Sequence, residues 1–445
     1  MLGGASAHPG RAEAHGPPAC RFPEEETQVT TAARQFDTAD ISSIEFWSQP
    51  PAAWDDTFRV LRDERPVSWH KAPEGSLLPT PPDDGFWAVV RHADIVAVSS
   101  QPDLFISSKG VQFEELPEDI LQATQSIVAM DAPRHLKVRS LVTAAFSPAR
   151  MEQMRGSMEA EVRRIVEDFA TAGECDFVAK VSMPMARWTM TYMLGLDTEE
   201  LDRFTEAITI MLSSRDEAQK SGRERGDIVN EVVGLVSGKA VELAQARRAH
   251  PQDDVMTDLV QARVDGEGLT DDEISAFLLL LIGAGFDTPR QTISHAGKAL
   301  SDFPEQRAFL AADFDARAGR AIDELLRWAT PVLTLRRTAA RDTELHGLRI
   351  NQGDKVALFY PSGNRDERVF TDPHVLDLAR TPNRHISFGG GGPHHCLGNV
   401  LAKIEMRVLL KELLRVTPDF HIGEPVRVTS NFVSAITRMP AVARA

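Results

Sequence analysis

The chain runs to 445 residues with a formal net charge of −16, 42% hydrophobic residues and three cysteines. That length suffices for one large domain with a deep core, and the acidic balance argues against nucleic acid, which selects a basic face. A membrane anchor is not expected and the cytoplasm is the expected compartment, since there is no run of about 18 uncharged apolar residues and no signal-peptide core.

Residues 1–35, rich in Ala, Gly, Pro, His and Glu without an apolar period, are expected to form a disordered leader, and 36–445 a single domain. Gly85–Ser100 (GFWAVVRHADIVAVSS) reads as a strand turning into a helix, the start of a small sheet lobe. Helical patterns dominate from Pro133 to Phe303, so the fold class is mainly α with a minor β lobe. Within DAPRHLKVRS, His135 and Arg139 stand i, i+4 on one helix face. Cys20 in the leader and Cys175 in a turn-like AGECD give no disulfide framework with Cys396. The charged segment Ser214–Asp227 is expected to link two helices over a pocket mouth.

Thr270 and Glu273 form a capping box ahead of an apolar segment from Ile274 to about Ser301. About 30 residues at roughly 1.5 Å each make a helix of ~45 Å, long enough to cross a domain. Small residues and an acid interrupt its middle, Gly283–Pro289 (GAGFDTP), and helix-weakening glycine there points to a close approach. Asp287 and Thr288 put a carboxylate beside a hydroxyl, the pair of types that passes protons in a dry pocket. Pro289 has no N–H for the Gly285 carbonyl, so a kink is expected, either as plain packing or freeing that carbonyl for a water. Further on, Glu324 and Arg327 are i, i+3 neighbours before Trp328 and the helix-stopping Pro331; exposed pairs of this kind contribute little. Strand patterns return at Val332–Arg337 and Arg349–Phe359.

The most informative segment is Phe388–Gly398, FGGGGPHHCLG. Cys396 ends a glycine-rich turn directly before a helix-periodic run, Leu397–Leu414, with Val400, Leu401, Ile404, Val408 and Leu409 on its apolar side. Amides and the dipole at a helix start favour an anion and are expected to lower the thiol pKa, which suits a metal ligand. The bland alternative is a buried structural thiol. A zinc site from His394, His395 and Cys396 is poor, because no second ligand pair stands at finger-like spacing.

This segment resembles the cysteine-ligand loop of the cytochrome P450 superfamily at Phe388, Gly391, Gly392, His394, Cys396 and Gly398, with Phe388 to Cys396 one residue longer than the commonest form. GAGFDTP is similar to the family's oxygen-binding groove at Ala284, Gly285, Asp287 and Thr288. ELLR looks like its structural Glu324–Arg327 pair, completed by Arg380. The likeness extends from about Phe36 to the C-terminus. In wording (ELLRWATPVLTLRRTAARDTELHG, GNRDERVF) it is nearest to bacterial members that hydroxylate methyl-branched lipids, isoprenoid chains and steroid side chains.

The resemblance implies haem b between two long helices, with Cys396 as axial iron ligand, a thiolate that favours O–O cleavage. It implies propionate partners at His135, Arg139, Arg337 and His394, oxygen and proton handling by Asp287 and Thr288, and a pocket lined by Ala284, Val332, Leu333 and Phe432. The implied activity is insertion of one atom of O2 into a hydrophobic small molecule. No G-x-G-x-x-G follows a strand-like segment, so electrons are expected from a separate ferredoxin and its NAD(P)H-dependent reductase, docking at a patch that includes Lys403 and Arg407. Two rivals stay open: a tailoring oxidase acting on a polyketide or terpene, and a haem-binding sensor, which has no use for the Asp287–Thr288 pair.

Overall fold

A computed structural model describes residues 34–443 apart from 75–83, 116–117, 124, 213–221, 223 and 224. The leader expected over 1–35 therefore lies outside the described residues but for its last two. The expected link over the pocket mouth also lies outside them, except Gly222 and residues 225–227, which open a helix. Phe36–Ala445 cluster as one compact unit.

The helices that matter for the site are α1 (Pro51–Glu64), α2 (His92–Ser99), α3 (Arg134–Thr143), α4 (Pro148–Thr171), α5 (Met183–Leu194), α6 (Arg225–Ala249), α7 (Asp271–Asp302), α8 (Phe314–Ala329) and α9 (Asn399–Val416). Helix α7 is the axle: at 32 residues it packs against α5, α6 and α8, while α9 lies on α4 and α8. Its start is set by the capping box, with Glu273 N donating to Thr270 Oγ1 at 3.2 Å and Thr270 N to Glu273 Oε2 at 2.9 Å. The helix continues through Pro289 to Asp302. Helix α8 stops before Pro331, and its cap Thr330 takes a left-handed φ of 38°. Asn364 Nδ2 donates to the Thr330 hydroxyl, which itself donates to Arg327 O, and these bonds hold that conformation.

The minor lobe is a five-stranded sheet of β1 (Val67–His70), β2 (Phe86–Val89), β3 (Phe105–Ile106), β4 (Thr334–Ala339) and β5 (Lys355–Phe359), in the order β1-β2-β5-β4-β3. Only β2 and β5 pair in parallel. The two-residue period sends Ala357 and Phe359 into a cluster with Trp47, Phe58, Phe86 and Phe113, while Val356 and Leu358 join Trp69 and Trp87 on the other face. The main core belongs to the helices, from α3 to α9. Among the described residues no helix is long and apolar enough to cross a membrane.

Candidate active site

The cysteine loop is shaped by contacts that only glycine permits. Gly389, Gly391 and Gly392 have φ of 97°, 95° and 72°. A Cβ at Gly390 would sit 2.5 Å from Ser99 Oγ, and one at Gly392 2.3 Å from Ser99 O, so the loop is seated directly on the end of α2. Cys396 N donates to Phe388 O at 2.9 Å, which closes the longer loop, and Phe388 packs half-buried against the helical core. Cys396 lies three residues ahead of α9. Its sulfur is deep among protein atoms and yet exposed, as expected of a group in a cavity wall. The expected lowering of its pKa is corrected: burial pushes the thiol up, outweighing the Gly398 N–H and the charge of Arg139, which act the other way. A coordinated metal ion reverses that balance by removing the proton outright.

Around this loop the predicted propionate partners come together. His135 and His394 pack together with ring centroids 4.1 Å apart and planes tilted by 33°. Arg139 Nη2 donates to His395 O at 2.6 Å, and its charge is felt at Cys396. Arg337 is 5% exposed, and its hydrogen bond is to a carbonyl, Arg336 O at 2.7 Å. Burial lowers the pKa of Arg337, and burial with the neighbouring cations drives His394 down to about 3. His135 is lowered for the same reasons, and Asp131, the acid felt here, spends its carboxylate on the N–H groups of Ser107 and Ser108. His135 Nε2 and His394 Nδ1 are buried and have no partner among the described residues. Two orphaned ring nitrogens and a buried guanidinium without a carboxylate form a donor set short of anions. A flat cofactor carrying two carboxylates, with a metal for Cys396, fits it.

In the middle of α7, Ala284 is exposed although the helix is flanked by core residues, so it too faces accessible space. Thr288 Oγ1 donates to Ala284 O at 2.7 Å. Gly285 lies against Met190 of α5, where a Cβ would be 3.1 Å from Met190 Cε; the close approach read from the glycines is at this position another side chain. Asp287 is not a free carboxylate: Arg290 pairs with its Oδ1, the Nε at 3.1 Å, and Gln291 Nε2 donates to the same oxygen at 3.2 Å. Gln291 also accepts from Ile436 N at 2.7 Å, tying α7 to the C-terminal hairpin. Sequence reasoning missed Arg290 and Gln291, although the same i, i+3 rule that found Glu324–Arg327 applies to Asp287–Arg290.

Glu324 and Arg327 form a fully buried bidentate pair at 2.7 and 2.8 Å, and Arg380 Nε reaches Glu324 Oε2 at 3.0 Å. Asn383 and the backbone of Asp377 complete the carboxylate's shell, and Arg327 Nη1 donates to Asn364 O and Pro373 O. The four candidate lining residues separate. Val332 and Phe432 are half-buried near a bridge from Val332 to Val433, and Ala284 is accessible. Leu333 is a correction: 2% exposed, it belongs to the apolar cluster of Phe86, Phe113 and Phe359, because neighbours in an extended segment point to opposite sides. The expected docking cations are already engaged, Lys403 by Asp323 at 2.7 Å and Arg407 by Asp315 at 3.1 Å, with Lys411 on the same Asp315.

Residues 318–416 match the family model described as cytochrome P450. A methyl-branched lipid omega-hydroxylase of Mycobacterium tuberculosis is 35% identical over 405 residues, 90% of this chain and 94% of that protein. A steroid C26-monooxygenase of Mycolicibacterium smegmatis is 32% identical over 383 residues, 84% of this chain and 87% of that protein. The structure of a Mycobacterium marinum cytochrome P450 in complex with pseudoionone superposes with a TM-score of 0.87 at 46% identity, covering 92% of this chain and 100% of that one.

Proposed function

The chain belongs to the cytochrome P450 family and is a haem-iron monooxygenase, and from that premise we propose that it hydroxylates a branched lipid, isoprenoid or steroid-type molecule with electrons from a separate ferredoxin and its reductase. The observation that carries the site is the anion-starved set of His135, Arg139, Arg337 and His394 around an accessible Cys396. Haem, taken as haem b, supplies the iron at which dioxygen is activated. Cys396 offers it the thiolate, and the four cationic or ring-nitrogen groups take its carboxylates. Thr288, whose hydroxyl proton is held by the Ala284 carbonyl, presents its oxygen as an acceptor to the accessible side of α7 and can donate there once that bond turns away. Asp287, steadied by Arg290 and Gln291, takes the next place in the proton path. Ala284, Val332 and Phe432 form the apolar wall for the substrate. Glu324, Arg327 and Arg380 are assigned to holding the segment ahead of the cysteine loop.

We place this machinery in one domain, 36–445, working in the cytoplasm on a freely diffusing donor. With Lys403 and Arg407 each facing an acid, ferredoxin docking relies on these residues only as part of compensated pairs. The substrate class rests on the activities named for the lipid and steroid relatives. The test is a ligand-shift screen of the ferric protein against branched fatty acids, pseudoionone, steroids and macrolides, followed by product analysis with a ferredoxin and reductase. Tight binding and hydroxylation of a branched lipid, isoprenoid or steroid is expected. Selective binding of macrolides overturns the substrate class in favour of a tailoring oxidase, and tight binding without product under any donor points to a sensor.

A further inference from the structure

The segment 107–115 is anchored along its whole length. Ser107 and Ser108 donate their N–H groups to Asp131. Phe113 is buried in the cluster of Phe86, Leu333 and Phe359, with its ring centroid 4.6 Å from that of Phe86. Between these anchors lies the guanidinium of Arg336 on β4, 1% exposed. It donates to the carbonyls of Lys109, Gly110 (3.2 Å) and Glu114 (3.3 Å) and pairs with the Glu115 carboxylate at 2.9 Å. Its backbone N–H donates to Val111 O at 2.9 Å. The fit requires glycine at 110, where φ is 104° and a Cβ would sit 2.9 Å from Arg336 Nη2. A segment held by a buried guanidinium and a buried ring is a rigid support for a side chain it presents outward.

That side chain is Glu114. Its Oε1 accepts from Asn431 Nδ2 at 2.8 Å, across 317 residues of chain. Asn431 stands in the turn 430–434, which bears Phe432. Ser430 Oγ closes the turn on itself, accepting from Phe432 N at 3.1 Å and Val433 N at 3.2 Å. The turn then lies on residues 331–334, through Leu333 N to Phe432 O and Ser434 N to Pro331 O, both at 2.8 Å, and Thr334 Oγ1 to Asn431 O at 2.7 Å. Ser434 also meets His295 of α7. The bonds to 331–334 reach one short segment and hold the turn as a hinge holds a door. Among the described residues, the Asn431 side chain makes the hydrogen bond that ties the turn to the rigid segment 107–115.

We propose that Glu114 and Asn431 form a clasp that positions Phe432, so that this pair decides how firmly the pocket wall grips a bulky ligand. Both are positioning residues for substrate selection and act through Phe432. The inference rests on the reading of a haem site with Phe432 in its apolar wall, and one set of titrations separates the two. Imidazole and 4-phenylimidazole both bind ferric haem iron from its open side. Each is followed by the Soret shift of the full-length holoprotein, so no substrate need be known. The second probe adds a ring for the wall to hold. A pH of about 8 keeps both members of an Asp–Glu pair charged.

Asn431→Asp sets one carboxylate against another and opens the clasp. Affinity for 4-phenylimidazole should fall roughly 2- to 10-fold, the worth of one aromatic contact, while that for imidazole stays unchanged. Phe432→Ala should do the same, and adding Asn431→Asp to it should change nothing more. Glu114→Gln keeps an acceptor for Asn431 and should stay near wild type. Combined with Asn431→Asp it reverses donor and acceptor, and the affinity should return. Should Asn431→Asp fail to take up haem, Asn431→Ala, which removes the donor without adding a charge, decides. Wild-type affinity in the Asn431 variant, a loss shared equally by imidazole, or no recovery in the reversed pair overturns the clasp. Wild-type affinity in Phe432→Ala overturns the place of Phe432 in the wall, and with it the inference. Absence of a Soret shift with imidazole in the wild type overturns the haem site itself.

Discussion

At the scale of single residues, the sharpest expectations concern charges that cannot be stranded. Glu324 accepts from Arg327, Arg380, Asn383 and the Asp377 backbone, with no exposure. Glu324→Gln leaves two buried guanidiniums short of their anion, so urea unfolding should show a loss of about 3–5 kcal/mol. On the proposed assignment, Arg337→Leu removes a donor to a haem carboxylate without leaving a charge behind. Haem transfer to an acceptor globin should then run faster, with affinity down roughly 10- to 100-fold, the worth of one charge-assisted hydrogen bond of about 1.5–3 kcal/mol. Residues with a local signature were legible in the sequence: Cys396 by its glycines, Glu324 and Arg327 by their spacing. What was not legible depends on partners far along the chain. Nothing near Glu114 announces Asn431, and Arg336 looks identical to Arg337 until β4 turns it to the other side, where it binds the carbonyls of Lys109, Gly110 and Glu114. The direction of the Cys396 shift was missed because a helix start is visible in sequence and depth is not.

At the scale of elements, α7 concentrates the expectations. Its boundaries followed from Thr270, Glu273 and the length of the apolar run, while its contacts, Met190 on Gly285 and Arg290 on Asp287, did not. A proline inside a helix costs about 3 kcal/mol relative to alanine. Pro289→Ala returns an N–H to the helix ladder and should raise the thermal midpoint, with a gain of about 1–2 kcal/mol after the greater freedom of the unfolded chain is counted. Thr288→Ala and Asp287→Asn act on the proposed proton path and should leave haem content and substrate affinity as they are. The first should lower product formed per NADPH consumed; the second should slow turnover. Unchanged coupling and rate in the two variants would reduce α7 to a pocket wall. Arg290→Gln should slow turnover in the same sense as Asp287→Asn, since it frees the carboxylate from its clamp.

For the whole molecule, stability should fall on both sides of a narrow pH range. His70 and His295 are held neutral by burial, with pKa values lowered from 6.5 to about 4. Because the folded value lies below the unfolded one for a base, their contribution is complete above about pH 6.5 and is lost as pH falls toward 4. Each accounts for at most on the order of 3 kcal/mol, at about 1.4 kcal/mol per unit. Glu405 works in the opposite sense: its folded value is raised, so its contribution is complete below about 4.5 and is lost as pH rises through about 7. Urea midpoints measured against pH should therefore describe a dome. His70→Phe should flatten its acid side and Glu405→Gln its alkaline side; a dome unchanged in both variants would assign the pH dependence to other groups.

The bond from Arg139 to His395 joins residues 256 positions apart, and Arg337 enters between them in sequence. During synthesis, α3 leaves the ribosome long before the thiol it will stand beside, so a chain that stops short of the loop never brings the two together. A polypeptide halted ahead of Phe388 keeps His135, Arg139 and Arg337 but lacks Cys396, the proposed ligand to the iron. On that assignment the spectrum of a thiolate-ligated haem certifies translation carried past Cys396: in a mixed preparation the molecules that show it contain the loop, and products truncated ahead of it do not.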